Sequence, residues 1–206
     1  SPLKPYLANA SNIGAFFYKL CDKIYFINMH YTLELKEEYK KYINITEDKV
    51  YFNNQVENIE IAGADPKTFK VLTFNWDFSW LSYAKDKNNA YFFILRLDGG
   101  KLVCRKINSK SIESFEVLED YYARDNDYVY YMGRKKADSD PKTFEILDLG
   151  YTKDINNVYY NGKKIEGADP KTFIAIPKSN KYGIDKNHVY WCGILSDESK
   201  TNLSED

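Results

Sequence analysis

The residues best suited to acid–base, nucleophilic or metal chemistry are two histidines and three cysteines, and their spacing supports none of these. His30 and His188 have no cysteine or carboxylate at metal-ligand spacing. Nucleophilic catalysis needs a base held by an orienting group, and nothing local supplies one. His188 precedes a Val-Tyr pair in a variable slot, so a surface turn position is expected. Cys21, Cys104 and Cys192 are odd in number, far apart and not paired as CxxC. Reduced, partly buried thiols are the expected state, with one disulfide plus a free thiol as the alternative. The oxygen-rich stretches Asp125-Asn126-Asp127, Asp154-Ile155-Asn156-Asn157 and Asp185-Lys186-Asn187 invite a calcium reading. A calcium loop needs several more oxygens and a closing Glu, whereas here a strand pattern follows at once. Side-chain-to-backbone turns explain them better. No glycine run suits a phosphate. The triplets beginning at Asn9, Asn44 and Asn202 match a glycosylation pattern by chance composition. No catalytic residue, metal or cofactor is expected.

Aromatic and basic side chains are the remaining candidates. Trp76, Phe78 and Trp80 alternate, which places them on one face of a strand. With Phe93, Arg96 and Arg105 they form the expected binding set. Trp and Tyr favour protein or sugar contacts where exposed, and packing inside is the competing expectation for the Trp76–Trp80 stretch.

The elements that must position these residues come from a repeat, the feature to seek before any other. Tyr130 and Tyr159 are 29 residues apart, and so are Phe144 and Phe173, within two closely matching copies at 122–147 and 151–176. Looser copies run from Asp48 to Leu72 and from Tyr83 to Leu118. Tyr182 to Trp191 makes a half-copy, and Asp22-Lys23-Ile24-Tyr25-Phe26 a degenerate first one.

One unit can be read physically. Tyr151–Lys153 is extended, and Asp154–Asn157 turns. Val158-Tyr159-Tyr160 is a β-branched and aromatic strand. Asn161-Gly162 predicts a hairpin turn with positive φ at both positions. Asp169-Pro170-Lys171-Thr172-Phe173 predicts one capped helical turn whose Phe enters a core. In the copy at 83–118, Ser111 takes the capping place. A further strand, Glu145–Leu147 and its equivalents, closes each unit. The stretch 97–101 reads as an extra hairpin inserted in that copy. Leu33–Tyr42 is expected to be helical, Ser11–Cys21 a short helix or strand, and the tail after Asp197 frayed.

The pattern Tyr-x-Lys-Asp-x-Asn-x-Val-Tyr-Tyr-x-Gly followed by Gly-Ala-Asp-Pro-Lys-Thr-Phe resembles the bacterial DKNYY repeat family. Asp86-Lys87-Asn88-Asn89-Ala90-Tyr91-Phe92 and Asp185-Lys186-Asn187-His188-Val189-Tyr190-Trp191 come nearest its name motif. The resemblance covers residues 42–195 and implies no catalytic residues, because the family is uncharacterised. It implies stand-alone proteins in some cases and envelope or secreted proteins in others.

The bulk numbers agree. The chain has 206 residues, 29 Lys+Arg against 30 Asp+Glu, and a net charge of -1, which argues against nucleic acid as a partner. Tyr occurs 19 times, as suits half-buried sheet faces. No apolar run is long enough to span a membrane as a helix. The expected fold is mainly β: repeated hairpin units, each with one short helical turn, stacked or propeller-like, with little α-helix. A single repeat domain over 1–206 is expected. It comprises a degenerate unit at 11–43, units near 44–80, 81–120, 121–150 and 151–180, a half-unit at 181–197 and a polar tail at 198–206. The expected function is non-catalytic recognition of another protein, an immunity protein that neutralises a toxin being one version. The alternative is an envelope-associated or secreted carbohydrate-binding module. Bacterial cytoplasm and cell envelope both fit.

Overall fold

The computed structural model describes residues 17–20, 23–26, 42–53, 57–74, 82–96, 101–119, 121–148, 150–177 and 181–197. The chain divides into two compact units, Ser1–Glu38 and Tyr39–Asp206. In the first, β1 (Phe17–Leu20) and β2 (Lys23–Phe26) form an antiparallel hairpin. The degenerate copy is thus a hairpin, and the short element expected within 11–21 is its first strand. The expected helix over 33–42 lies outside the described residues but for Tyr42, and so does the tail after Asp197.

The second unit is a succession of five small antiparallel sheets, and none closes into a barrel. The first holds β3 (Ile43–Ile45), β4 (Val50–Asn53) and β5 (Asn58–Glu60). The second holds β6 (Lys70–Phe74), β7 (Ser82–Lys85), β8 (Ala90–Arg96) and β9 (Lys101–Ile107). The third runs β10 (Glu116–Glu119), β11 (Tyr122–Arg124), β12 (Val129–Tyr131) and β13 (Arg134–Lys136). The fourth runs β14 (Glu145–Ile146), β15 (Tyr151–Lys153), β16 (Val158–Tyr160) and β17 (Lys163–Lys164). The fifth runs β18 (Ile174–Ala175), β19 (Tyr182–Ile184), β20 (Val189–Trp191) and β21 (Ile194–Ser196). Each has its strands side by side in sequence order; in the third, fourth and fifth sheets an Asx turn and a two-residue turn join the last three strands.

The sheets are out of phase with the sequence repeat. The strand that closes one sequence copy pairs with the first strand of the next: Glu145 faces Lys153 and Ile146 faces Thr152 across β14 and β15. The C-terminal half-copy therefore completes a four-stranded sheet by taking β18 from the copy before it. Residues 97–100 of the expected extra hairpin lie outside the described residues; on either side of them β8 and β9 pair over seven residues, from Ala90↔Ile107 to Arg96↔Lys101.

Consecutive sheets are joined by aromatic ladders. Phe115 lies between Tyr83 and Tyr130, Phe144 between Tyr122 and Tyr159, and Phe173 between Tyr151 and Tyr190, with ring centroids 5.2–6.1 Å apart. Each Phe ends a turn, and each is buried as its position predicts. Among the described residues, three buried clusters are seated on these rings.

The turn before each Phe is a single one. Asp169 accepts the Lys171 N–H on Oδ1 (3.1 Å) and the Thr172 hydroxyl on Oδ2 (3.0 Å), and Asp65 and Asp140 do the same in their copies. Only Ile112–Ser114 closes as a 3-10 turn among the described residues. There the expectation fails: the Ser111 side chain makes no capping bond. Its hydroxyl donates to Asp127 instead (2.9 Å), and Ser109 supplies the hydroxyl that reaches the buried Asp125 (2.6 Å).

Candidate interaction surface

The most polar feature of each unit is buried. Asp154, 3% exposed, accepts the N–H groups of Asn156 and Asn157 on Oδ1, both at 2.8 Å. Its Oδ2 accepts the Tyr159 hydroxyl at 2.9 Å and the Asp140 N–H at 2.9 Å. Asp185 repeats the set with Asn187, His188, Tyr190 and Asp169. Asp86 repeats it with Asn88, Asn89, Tyr91 and Asp65. Asp125 does so with Asp127, Tyr128, Tyr130 and the Ser109 hydroxyl. Burial alone would push the carboxyls of Asp86, Asp125 and Asp185 up. The converging N–H and O–H donors outweigh it and hold all three below the usual carboxylate range, Asp185 at about 2. Both oxygens of each carboxylate are occupied by the chain's own donors, so these loops are turn locks.

The same residues are the letters of the repeat. The Asp of each Asx turn and the first Tyr after Val or Ala, five positions on, form the buried pair in four successive sheets. The chain belongs to the DKNYY family. The family's model matches residues 42–194, which takes in all five sheets of the second unit but for the last two residues of β21. No curated protein and no solved structure matches the chain.

In this DKNYY chain the hairpin turns carry the contacts between sheets. Met132-Gly133, Asn161-Gly162 and Cys192-Gly193 all have positive φ at both positions, as the Asn-Gly pair predicts. The Tyr151 hydroxyl donates to the Lys181 carbonyl (3.1 Å) and accepts the Gly193 N–H (3.0 Å). Tyr83 reaches the Tyr121 carbonyl and the Gly133 N–H in the same way. Tyr122 stands at the matching place, with its buried hydroxyl facing the Thr152 hydroxyl and the Gly162 N–H but forming no well-aligned hydrogen bond to either.

The candidate binding residues are dispersed among these features. Phe93 is 1% exposed and stacks on Phe52, ring centroids 6.1 Å apart. Arg105 donates to the Met132 carbonyl at 2.8 Å, across to the next sheet's turn. Arg96 ends β8 opposite Lys101. Trp76, Phe78 and Trp80 lie outside the described residues. The structure brings Phe93, Arg96 and Arg105 onto one lengthened hairpin.

His188 has an exposed side chain in its turn, as its slot predicts. Cys104 and Cys192 are free thiols; Cys192 is half-buried as expected, while Cys104 is exposed. No helix among the described residues is long and apolar enough to cross a membrane.

Sequence reasoning missed one exposed apolar group, on the last sheet. Trp191, Ile194 and Leu195 are 50%, 67% and 60% exposed. The signal lay in comparing copies position by position. Ile194-Leu195 stands where Lys163-Lys164 and Arg134-Lys135 stand.

Proposed function

We propose that this DKNYY chain is a non-catalytic module that recognises another protein through its lengthened hairpin, β8–β9. The observation that carries the reading is the contrast between the hairpins. The second hairpins of the third, fourth and fifth sheets have strands of two or three residues, whereas β8 and β9 have seven each. The repeat locks its own polar groups inside, so it offers a scaffold, and recognition falls to what departs from the repeat. Beyond Ile94, which packs against the core, the extension sets Leu95 opposite Leu102 and Arg96 opposite Lys101. An apolar pair followed by a cationic one fits a protein surface with an acidic rim. In its sharper form the partner is a toxin and the module an immunity protein.

The test replaces residues 95–102 with Asn-Gly. That keeps the Ile94–Val103 pair as the flank of a two-residue turn, the geometry used by the sibling sheets. The full chain is expected to recover one protein in stoichiometric amount from its native cells, and the shortened chain to lose it while keeping its far-ultraviolet spectrum. Equal recovery by both chains overturns the hairpin reading. Glycan binding by the full chain would replace it with carbohydrate recognition.

A further inference from the structure

Three consecutive sheets of the second unit carry a pair of cations at the same place on their last strands, β9, β13 and β17. Arg105 and Lys106 stand opposite Phe92 and Tyr91, Arg134 and Lys135 opposite Tyr131 and Tyr130, and Lys163 and Lys164 opposite Tyr160 and Tyr159. The first sheet has Ile59-Glu60 at that place and the fifth has Ile194-Leu195. Arg105 is half-buried, and the other five cations are exposed.

The fold makes little use of these charges. Cations on the inner strands hold the turns: Lys85 donates to the carbonyls of Ile112 (3.2 Å) and Phe115 (2.9 Å), Arg124 to that of Pro141 (3.0 Å) and Lys153 to that of Phe173 (3.4 Å). On the outer strands, Lys135 lies 3.1 Å from the centroid of the Tyr128 ring, and Lys164 meets the exposed Glu166 at 3.5 Å. Among the described residues, Lys106, Arg134, Lys135 and Lys163 form no ion pair. A charged side chain on an edge strand guards it against unwanted pairing. Glu60 shows that an anion can hold that place. A guard alone does not account for two cations on each of three successive strands.

The three strands follow one another along one side of the unit. Each hairpin turn sits on the sheet before it: a Cβ on Gly133 would come within 2.6 Å of Phe92, and one on Gly162 within 2.4 Å of Tyr131. Residues directly opposite share a face, and successive residues alternate. Arg105 and Arg134 therefore point towards the following sheet, as the Arg105 bond to the Met132 carbonyl shows, and Lys135 and Lys164 towards the preceding one. Each of these two junctions gathers an Arg and a Lys at its rim. We infer that the stripe along β9, β13 and β17 is the docking surface for an acidic segment of a partner protein, its carboxylates spread over three sheets. This rests on the reading of the chain as a protein-recognition module and names the chemistry of the partner, since the stripe continues the Arg96–Lys101 pair of the lengthened hairpin. With a net charge of -1 the whole chain does not attract an anion, so the attraction is local. The rings opposite the cations are buried or half-buried, which leaves no platform for stacking bases and favours carboxylates over nucleic acid.

Fluorescence anisotropy of labelled poly-L-glutamate, titrated with the full chain, tests the inference. Binding is expected, and it is expected to weaken as salt rises. Arg134→Glu combined with Lys163→Glu keeps a charged guard on both strands. This chain is expected to bind about tenfold more weakly or worse, with an unchanged far-ultraviolet spectrum. Lys142→Glu combined with Lys171→Glu makes the same charge change on exposed turn lysines and is expected to leave the affinity unaltered. A full chain that does not bind poly-L-glutamate overturns the inference. So does an equal loss in the two double variants, because net charge then accounts for it, and so does no loss in the first. Tighter binding of a single-stranded oligonucleotide than of poly-L-glutamate overturns it in favour of nucleic acid. The chain with residues 95–102 replaced is expected to lose the native protein yet still bind poly-L-glutamate, so failure of the hairpin reading and failure of the stripe give different results.

Discussion

At the scale of residues, the Asp–Tyr pair explains why this chain is rich in tyrosine. Phenylalanine would fill the same space but take from the buried Asp oxygen one of its two donors, in Asp154 the hydroxyl that it holds beside the Asp140 N–H. The junction tyrosines give a sharper test, because they sit in equivalent places with different bonding. Tyr151 bonds the next sheet through its hydroxyl, whereas the buried Tyr122 hydroxyl faces Thr152 and Gly162 without a well-aligned hydrogen bond. Tyr151→Phe is expected to lower stability by about 1 kcal/mol and Tyr122→Phe to be neutral or stabilising, as read from denaturant midpoints. Equal losses would mean that both hydroxyls act alike. Two pH limits follow from the same groups. Asp86, Asp125 and Asp185 are held below their ordinary pKa values. Their stabilisation is complete above about pH 4 and lost as pH falls through the folded values, which for Asp185 is about 2. Burial raises the phenols of Tyr122 and Tyr151 to about 12. Their contribution is present below about pH 10 and lost as pH rises through the folded values. The part of the tyrosinate absorbance that belongs to these buried phenols is expected to appear in one cooperative step with loss of the far-ultraviolet signal. A gradual phenolic titration at constant spectrum would show that the tyrosines ionise in the folded chain.

At the scale of elements, legibility followed the range of the interaction. The Asx turns, the Asn-Gly hairpin and the buried Phe could be read because their causes lie within five residues of one another. The phase of the sheets could not. Whether Glu145-Ile146 pairs backward or forward depends on a contact with Lys153 and Thr152 across a turn, and the sequence pattern is the same either way. The Ser111 cap failed for a related reason: the hydroxyl had a longer-range acceptor in Asp127. The candidate site was partly legible. The copies disagree at residues 74–80, of which 75–80 lie outside the described residues, and at 93–106, whereas the exposed Ile194 and Leu195 emerged only once strand register aligned the hairpins of successive sheets. Glycines divide by the same logic. A Cβ at Gly162 would run into the Tyr131 ring, whereas one at Gly167 meets nothing within 4 Å, and both have positive φ. Gly167→Ala is expected to cost about 1 kcal/mol, the conformational term alone. Gly162→Ala is expected to cost more than twice that, because the ring is held between two sheets. Thermal unfolding of the two variants checks the difference, and equal losses would show that the junction yields.

At the scale of the molecule, the five sheets form a chain of nearest-neighbour couplings in which the ring ladders are the links. None of these sheets is large enough to stand alone: three or four strands of two to seven residues cannot cover both faces. Stability must therefore come from junctions, and a junction lost in the middle should divide the molecule. Phe144 is the ring between Tyr122 and Tyr159, in the cluster that also holds Val129. Phe144→Ala removes contacts on both sides at once, and a buried Phe-to-Ala change costs about 3–5 kcal/mol. Because coupling is local, the loss should not be shared evenly. Native-state hydrogen exchange is expected to show β11, β12, β15 and β16 losing protection together, while β7 and β8, locked through Phe115, keep most of theirs. Uniform loss across all five sheets would instead mean that the second unit folds as one cooperative block, and that the ladder rings stabilise it jointly and not link by link.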